Sequence, residues 1–328
     1  MGSTQIPAGN PVDVVCLGIL VADFFPNPIE RVPEQGELMK IESLALSTGG
    51  CAANTAGGLN KLGIRTGVIG KVGGDVFGRF IREDLHNRGI DTSRISESQK
   101  SETSKTIIIT VEGEDRRYLH LLGANADFEL EDVDLSYATS GKILYVGGFL
   151  GMAGFSAKDC HHLFRHAREK KVTTVLDVIT PGPGDYFEMF RDVLPQVDVF
   201  LPNTDEAEVI CGEREPEKQA DCFLDLGAGT VVITMGTEGV LAKSSEGTLR
   251  VGRYAVPFVD GSGAGDAFDA GLLYALLQEQ PLDEALRYAS AMGAACVREV
   301  GCLDSLFSQE ELTAFVRQHS LPMEVRSG

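Results

Sequence analysis

The chain reads as an α/β protein, a mostly parallel sheet with helices on both faces and a small β appendage. Three observations predict this. Short apolar runs rich in Val and Ile alternate with helical patterns from end to end, as crossover helices between parallel strands require. The 328 residues are 43% hydrophobic, enough for a large core. Two segments, at about 24–47 and 104–123, break the alternation and read as β structure of their own.

Taken in order, the expected buried strands are 14–17, 66–69, 143–146, 172–176, 197–201 and 231–234, each bounded by Gly, Pro or polar residues. Helical patterns occupy 52–61, 76–88, 157–170, 205–210 and 222–226, and late in the chain 264–277, 283–297 and 309–317. Ligands of such sheets bind at the carboxyl ends of the strands. The first interruption carries Pro26, Pro28 and Pro33 before the stretch 38–47. The second reads as two strands joined by a hairpin turn at 113–115. Together they suit a small sheet standing off the main one as a lid. No fixed-period repeat, low-complexity tract or linker is seen, so one domain is expected over 1–328.

Composition excludes several function classes. A net charge of −19 disfavours nucleic acid and anionic membranes as partners, though not an anion held in a local pocket. The first ten residues have neither the basic nor the apolar region of a secretion signal, and no apolar run approaches the ~18–20 residues of a membrane span. Seven cysteines without a C-x-x-C pair argue against a disulfide framework or zinc site, and a reducing cytoplasm is expected. Glycine is in excess, 38 residues where an average composition carries about 7%.

The segment 259–268, Val-Asp-Gly-Ser-Gly-Ala-Gly-Asp-Ala-Phe, sets Gly261, Gly263 and Gly265 at the start of an apolar helix. Exposed N–H groups and the positive end of the helix dipole make an anion site there. Asp266 would repel a static phosphate but suits a base that takes the proton of an attacking alcohol. Equally, Gly-Ser-Gly is a tight turn and Asp266 a first-turn acid complementing the dipole. Asn203 and Glu206 have the spacing of a capping box. His162 and His166 stand at i,i+4, a metal-compatible spacing, but without an H-E-x-x-H glutamate and among the basic residues of a helix end; His161 adds nothing to them.

These residues resemble the D-T-x-G-A-G-D signature of the ribokinase (PfkB) family of carbohydrate kinases, through Asp260, Gly263, Ala264, Gly265 and Asp266, with Gly261 replacing the usual Thr. Four further boxes resemble the family's, in family order: Gly49-Gly-Cys-Ala-Ala-Asn54 (G-G-x-x-x-N), the stretch 69–78 (G-x-D-x-x-G), Asn203-Thr-Asp-Glu206 (N-x-x-E) and Thr234-Met-Gly-Thr-Glu-Gly239 (T-x-G-x-x-G). With Asp23 after the first strand, they span nearly the whole chain.

The resemblance implies a ribokinase-like three-layer sandwich with a β lid, and ATP-dependent phosphorylation of a primary hydroxyl. Asp266 would be the general base, and Gly263, Ala264 and Gly265 the anion hole. Asp23, Gly49, Gly50 and Asn54 would bind the sugar, with Arg117 reaching in from the lid. Asn203, Thr234, Gly236 and Gly239 would shape the nucleotide cleft, and Glu206 would organise Mg²⁺ through water. A monovalent cation, often K⁺ in the family, has Asp260, Ser262, Gly301 and Ser305 as matching candidates. Lid edges offer a second subunit a pairing surface, as in some family members.

The small Cys51-Ala52-Ala53 run after the double glycine leans towards an unphosphorylated sugar, fructokinase- or ribokinase-like. Phe24, Phe25, Tyr118 and Leu119 leave a nucleoside open, and Arg116 and Arg117 an acidic sugar. The 177–180 stretch departs from the D-x-N-x-R pattern of several sugar-kinase members. Of other classes, a catalytically silent binder of the same fold should lack Asp266 or the glycines, which are present. A dinucleotide oxidoreductase should carry G-x-G-x-x-G after the first strand, which is absent, as is a P-loop.

Overall fold

The computed structural model describes residues 11–114, 116–180, 182–299 and 301–327. The N-terminal ten residues, and Asp115 at the end of the expected hairpin turn, lie outside them. The chain opens with β1 (Val14–Gly18), β2 (Val21–Pro26), β3 (Leu44–Gly49), α1 (Cys51–Lys61), β4 (Thr66–Gly73), α2 (Val76–Asn87) and β5 (Asp91–Ser98). Next come β6 (Lys105–Ile109), β7 (Arg117–Leu121), α3 (Leu135–Ala138), β8 (Ile143–Gly147), α4 (Ala157–Glu169), β9 (Thr173–Asp177) and α5 (Phe187–Val193). It continues through β10 (Val199–Leu201), α6 (Thr204–Cys211), α7 (Pro216–Asp225), β11 (Thr230–Thr234), β12 (Val240–Ser244) and β13 (Gly247–Val251). The last elements are α8 (Ala264–Leu277), α9 (Leu282–Cys296), α10 (Gln309–Gln318) and β14 (Met323–Ser327).

The large sheet runs β14-β13-β12-β11-β10-β9-β8-β1-β4-β5. From β11 to β5 every pair is parallel; β12, β13 and β14 extend it antiparallel. Buried on both faces, the central strands need no polar side, so β1 and β8 are buried at every position. Alternation along β1 sends Val14 and Cys16 into one core and Val15 and Leu17 into the other. The first core is closed by residues of α1, α2, α8, α9 and α10. The second is closed by α3 to α7.

All six expected strands are present. The antiparallel extension and β5 escaped the sequence reading, because β5, β13 and the end of β12 are polar or half-exposed and none carries a long apolar run. Asp23, which follows the first strand as expected, lies within β2. The chain kinks after β1 and starts a second, four-stranded sheet, β3-β2-β6-β7. There β2 and β6 pair in parallel while the outer pairs are antiparallel. This is the expected appendage, with strands shorter than the sequence suggested.

Alternation gives the small sheet two faces. Asp23 lies opposite Ser47 and Thr106, and Thr106 opposite His120, on the face turned to the main body. Phe24 lies opposite Leu46 and Ile107, and Ile107 opposite Leu119, on the other. The G-x-D-x-x-G box serves as a joint between the two sheets. Asp75 caps α2 through the N–H groups of Phe77 and Gly78, and accepts from the Thr103 N–H and hydroxyl at the root of β6.

Candidate active site

The carboxyl ends of the parallel strands bring most of the expected residues to one cleft. At its floor begins α8. Its N-cap, Gly263, is left-handed (φ 73°), and no side chain caps the helix. A Cβ on Gly263 would lie 2.7 Å from the Cys302 side chain, so any other residue is strained by both φ and space. Ala264 N–H turns back to the Gly261 carbonyl at 3.3 Å. Among the described residues, the N–H groups of Gly265 and Asp266 have no carbonyl partner. Gly265 is exposed, with nothing within 4 Å of a Cβ placed there. Two unclaimed N–H groups at the positive end of an open helix terminus are ready to meet an anion.

Asp266, the third residue of α8, does not cap its own turn. Its Oδ2 accepts the Asn54 Nδ2 donor at 2.8 Å, and its carbonyl accepts the Thr55 hydroxyl at 3.4 Å. This contact depends on how closely α1 approaches α8: a Cβ on Gly58 would stand 2.7 Å from the Cβ of Ala270. Asn54 is buried, and its Oδ1 has no partner. Beyond Asn54 lies Asp23, also buried. Gly49 passes directly over it, since a Cβ there would fall 1.8 Å from the Asp23 Oδ2. Gly50 is the N-cap of α1.

The cleft is strongly acidic. Burial pushes the Asp23 carboxyl up to about 6, against the Thr106 hydrogen bond, with repulsion from Asp266 adding to the rise. Burial also raises Asp266, while hydrogen bonds from Asn54 and Cys51 pull it back. Burial and then the Asp266 charge push Glu206 up to about 7. Two acids that the motifs did not single out join them. Asp177 ends β9 and accepts the Gly148 N–H at 3.0 Å; Asp269, one turn after Asp266, accepts the Tyr145 hydroxyl at 2.8 Å. Both are raised well above the carboxylate range, by burial first and then by neighbouring acids. The Cys51 sulfur and carboxylate oxygens of Asp177 and Asp266 lie within 4.8 Å of one another. The i,i+3 spacing of Asp266 and Asp269 was a readable signal; a lone Asp ending a strand was not.

Where the nucleotide was expected, Asn203 and Thr234 form a parallel bridge, and Gly236 and Gly239 flank a tight turn closed by Met235 N–H to the Gly239 carbonyl at 2.8 Å. The capping box is real: Asn203 Oδ1 accepts the Glu206 N–H, and Glu206 Oε2 accepts the Asn203 N–H, both at 2.9 Å. Glu206 Oε1 carries no hydrogen bond among the described residues, so the cap and a ligand role are compatible.

Three groups of candidates fall elsewhere. Arg117 is half-exposed and pairs with Glu114; its neighbour Arg116 turns inward to Asp260 and Ser262. Of the monovalent-cation candidates, Asp260 and Ser262 hydrogen-bond each other, Ser305 is linked to them through Cys296, and Gly301 makes none of these bonds. His161 bonds the Asp192 carbonyl, and no histidine belongs to a metal-ligating cluster among the described residues. Phe24 packs edge-on against Phe77, away from the Asp23 face.

The chain resembles known proteins in both sequence and fold. The model of the pfkB family of carbohydrate kinases matches residues 12–308. The 2-dehydro-3-deoxygluconokinase of Bacillus subtilis (strain 168) is 30% identical over 319 residues, 93% of this chain and 95% of that protein. The ribokinase of Arabidopsis thaliana, solved with ribose and ATP, shares the fold at TM-score 0.80 and 22% identity, covering 94% of this chain and 99% of that one. A ribokinase II from E. coli, solved with ATP and Mg²⁺, does so at TM-score 0.78 and 20% identity, covering 94% and 100%.

Proposed function

The chain belongs to the pfkB family of carbohydrate kinases, and we propose that it transfers the γ-phosphoryl group of ATP to a primary hydroxyl of an uncharged, unphosphorylated sugar. The observation that carries this reading is the Asp266 carboxylate, held by Asn54 at the open N-terminus of α8. Asp23 and the unpartnered Asn54 Oδ1 accept hydrogen bonds from sugar hydroxyls. Asp266 takes the proton of the attacking hydroxyl. The N–H groups of Gly265 and Asp266, with the helix dipole behind them, stabilise charge on the transferring group. The small sheet covers the sugar and keeps water from competing as acceptor.

Glu206 Oε1 and the surrounding acids are hard oxygen donors with no basic partner among the described residues, and they fit Mg²⁺ held through water. When bound, Mg²⁺ neutralises phosphate charge. Asn203, Thr234, Gly236 and Gly239 form the adjoining nucleotide wall.

The uncharged substrate follows from the groups around Asp23. Thr106, Asn54 and Cys51 are neutral, and burial holds the His120 imidazole below its usual range, so it is neutral at pH 7. A carboxylate or phosphate here would face the Asp23 and Asp266 carboxyls. A sugar acid is the second reading, favoured by the name of the Bacillus relative; a nucleoside has less support, since Phe24 is turned away.

An ADP-release assay over neutral sugars, sugar acids, sugar phosphates and nucleosides tests the proposal. The highest kcat/KM is expected on a neutral sugar; a sugar acid ranking first would overturn the substrate reading, and no turnover on any would favour a silent binder.

The outer face of the lid supports a homodimer, exposing Leu44, Leu46, Ile107, Leu119 and Leu121 side by side. No helix is long and apolar enough to cross a membrane. All seven cysteines are free, in keeping with a reducing cytoplasm.

A further inference from the structure

The family resemblance nominates Asp260, Ser262, Gly301 and Ser305 as a monovalent-cation position, but oxygens of Asp260, Ser262 and Ser305 already have partners of this chain. Asp260 Oδ1 accepts Arg116 Nη1 at 3.0 Å and the Ser262 N–H and hydroxyl at 3.1 Å each. The Ser262 hydroxyl oxygen accepts Arg116 Nη1 at 2.7 Å, and the Ser262 carbonyl accepts the Cys296 thiol at 3.2 Å. The Ser305 carbonyl accepts Arg298 Nη2 at 2.9 Å, and its hydroxyl donates to the Cys296 carbonyl at 3.2 Å. A cation coordinated here would have to displace these donors and sit beside a guanidinium that never loses its charge.

We propose that Arg116 takes the place of a monovalent cation at the glycine turn, so that the protein acts without K⁺. Three features support it. The ion pair is largely shielded from water, with Asp260 10% and Arg116 23% exposed, so it is less screened than a surface pair. Gly261 stands where the family motif carries Thr, and a Cβ there would lie 3.4 Å from Arg116 Nη2 and 3.6 Å from the Phe258 ring. A side chain at this position would stand in direct contact with the guanidinium, so the identity of residue 261 bears on the placement of Arg116. The Tyr118 ring lies 5.9 Å from the guanidinium carbon and borders its path across the cleft.

The arrangement has a mechanical consequence. Arg116 precedes β7, on the lid, whereas Asp260 and Ser262 open the turn that leads into α8. A diffusible cation would set that turn whether the lid is open or closed. A lid-borne guanidinium sets it only when the lid is down, coupling closure to completion of the anion hole. Arg116 thereby acts as a positioning residue for the Gly263–Gly265 turn.

The inference rests on the kinase reading only for its rate measurements. With the full chain and its best substrate, replacing tetramethylammonium chloride by KCl at about 0.1 M should change kcat by less than about twofold. The same exchange should leave the melting temperature of the ligand-free protein unchanged. Arg116→Ala should lose at least about tenfold in kcat in tetramethylammonium and recover several-fold with KCl or guanidinium chloride. Arg116→Lys, which keeps a cation on the lid, should remain indifferent to K⁺.

K⁺ activation of the wild type, or a melting temperature raised several degrees by K⁺ alone, overturns the proposal. So does an Arg116→Ala enzyme as active as wild type, or one that neither cation restores. The wild-type comparisons need no variant to fold. Absence of turnover on every substrate would count against the kinase reading, and the melting comparison would still decide this one.

Discussion

The side-chain amide of Asn54 donates to Asp266 Oδ2 at 2.8 Å, tying the first turn of α1 to the first turn of α8. One helix brings the double glycine that passes over Asp23; the other brings the unclaimed N–H groups. The two halves of the cleft, proposed to hold the acceptor and the phosphate, therefore meet at one hydrogen bond.

Replacing Asn54 should alter the base more than the fold. The Asn54 bond lowers the Asp266 carboxyl against the rise caused by burial. Without it the base holds its proton to higher pH, so the acid limb of the kcat–pH profile in Asn54→Ala should move upward. The loss should be about ten- to a hundredfold near pH 7 and smaller near pH 8.5. A parallel drop at every pH would assign Asn54 to sugar binding alone.

Stability should fall as pH rises through the neutral range. Burial raises Asp23 from an ordinary 3.8 to about 6 and Glu206 from 4.5 to about 7. The native state therefore holds protons that the unfolded chain has released, and stability declines as pH climbs through those values. For Asp23 the full change is on the order of 3 kcal/mol, spread from about pH 4 to about pH 6. The ligand-free protein should melt several degrees lower at pH 7.5 than at pH 4.5, and Asp23→Asn should flatten the lower half of that slope. A melting temperature that rises over this interval would contradict these assignments.

The lid face offers a check on assembly. Leu119, on the edge strand β7, is 62% exposed within the apolar row. Sedimentation should give twice 35.2 kDa for the wild type and a monomer for Leu119→Glu. A monomeric wild type at micromolar concentration would remove the dimer from the account.

Arg117→Ala should be nearly silent. The guanidinium pairs with Glu114 on the exposed side of the hairpin, and such surface pairs contribute only ~0–1 kcal/mol. KM for the sugar should move by less than about threefold; a larger rise would mean that the side chain swings inward on binding.

Much of the architecture was legible because burial leaves a mark in sequence. Val14–Leu17 and Ile143–Val146 are apolar without alternation, since both faces are covered, and that pattern announces a parallel strand. The polar strand Asp91–Ser98 lies at the sheet edge and carries no such mark. In the cleft, Asp266, Asn54 and the glycines were readable because spacing and residue type form a motif. Asp177 was not, because one aspartate at a strand end is silent until the fold sets it beside Cys51 and Asp266. Choosing between Arg116 and Arg117 required the hairpin register, and one residue of slip exchanges inside for outside.

Asp266 is the centre of the account, and the most direct measurement is the turnover of Asp266→Asn. Asparagine keeps the shape, relieves a crowded set of acids and cannot accept a proton. With the best substrate, kcat should fall by about 10²–10⁴-fold. Nucleotide affinity should stay within a few-fold, and the melting temperature should hold or rise. A variant that folds, binds nucleotide and turns over within about threefold of wild type would contradict Asp266 as the base.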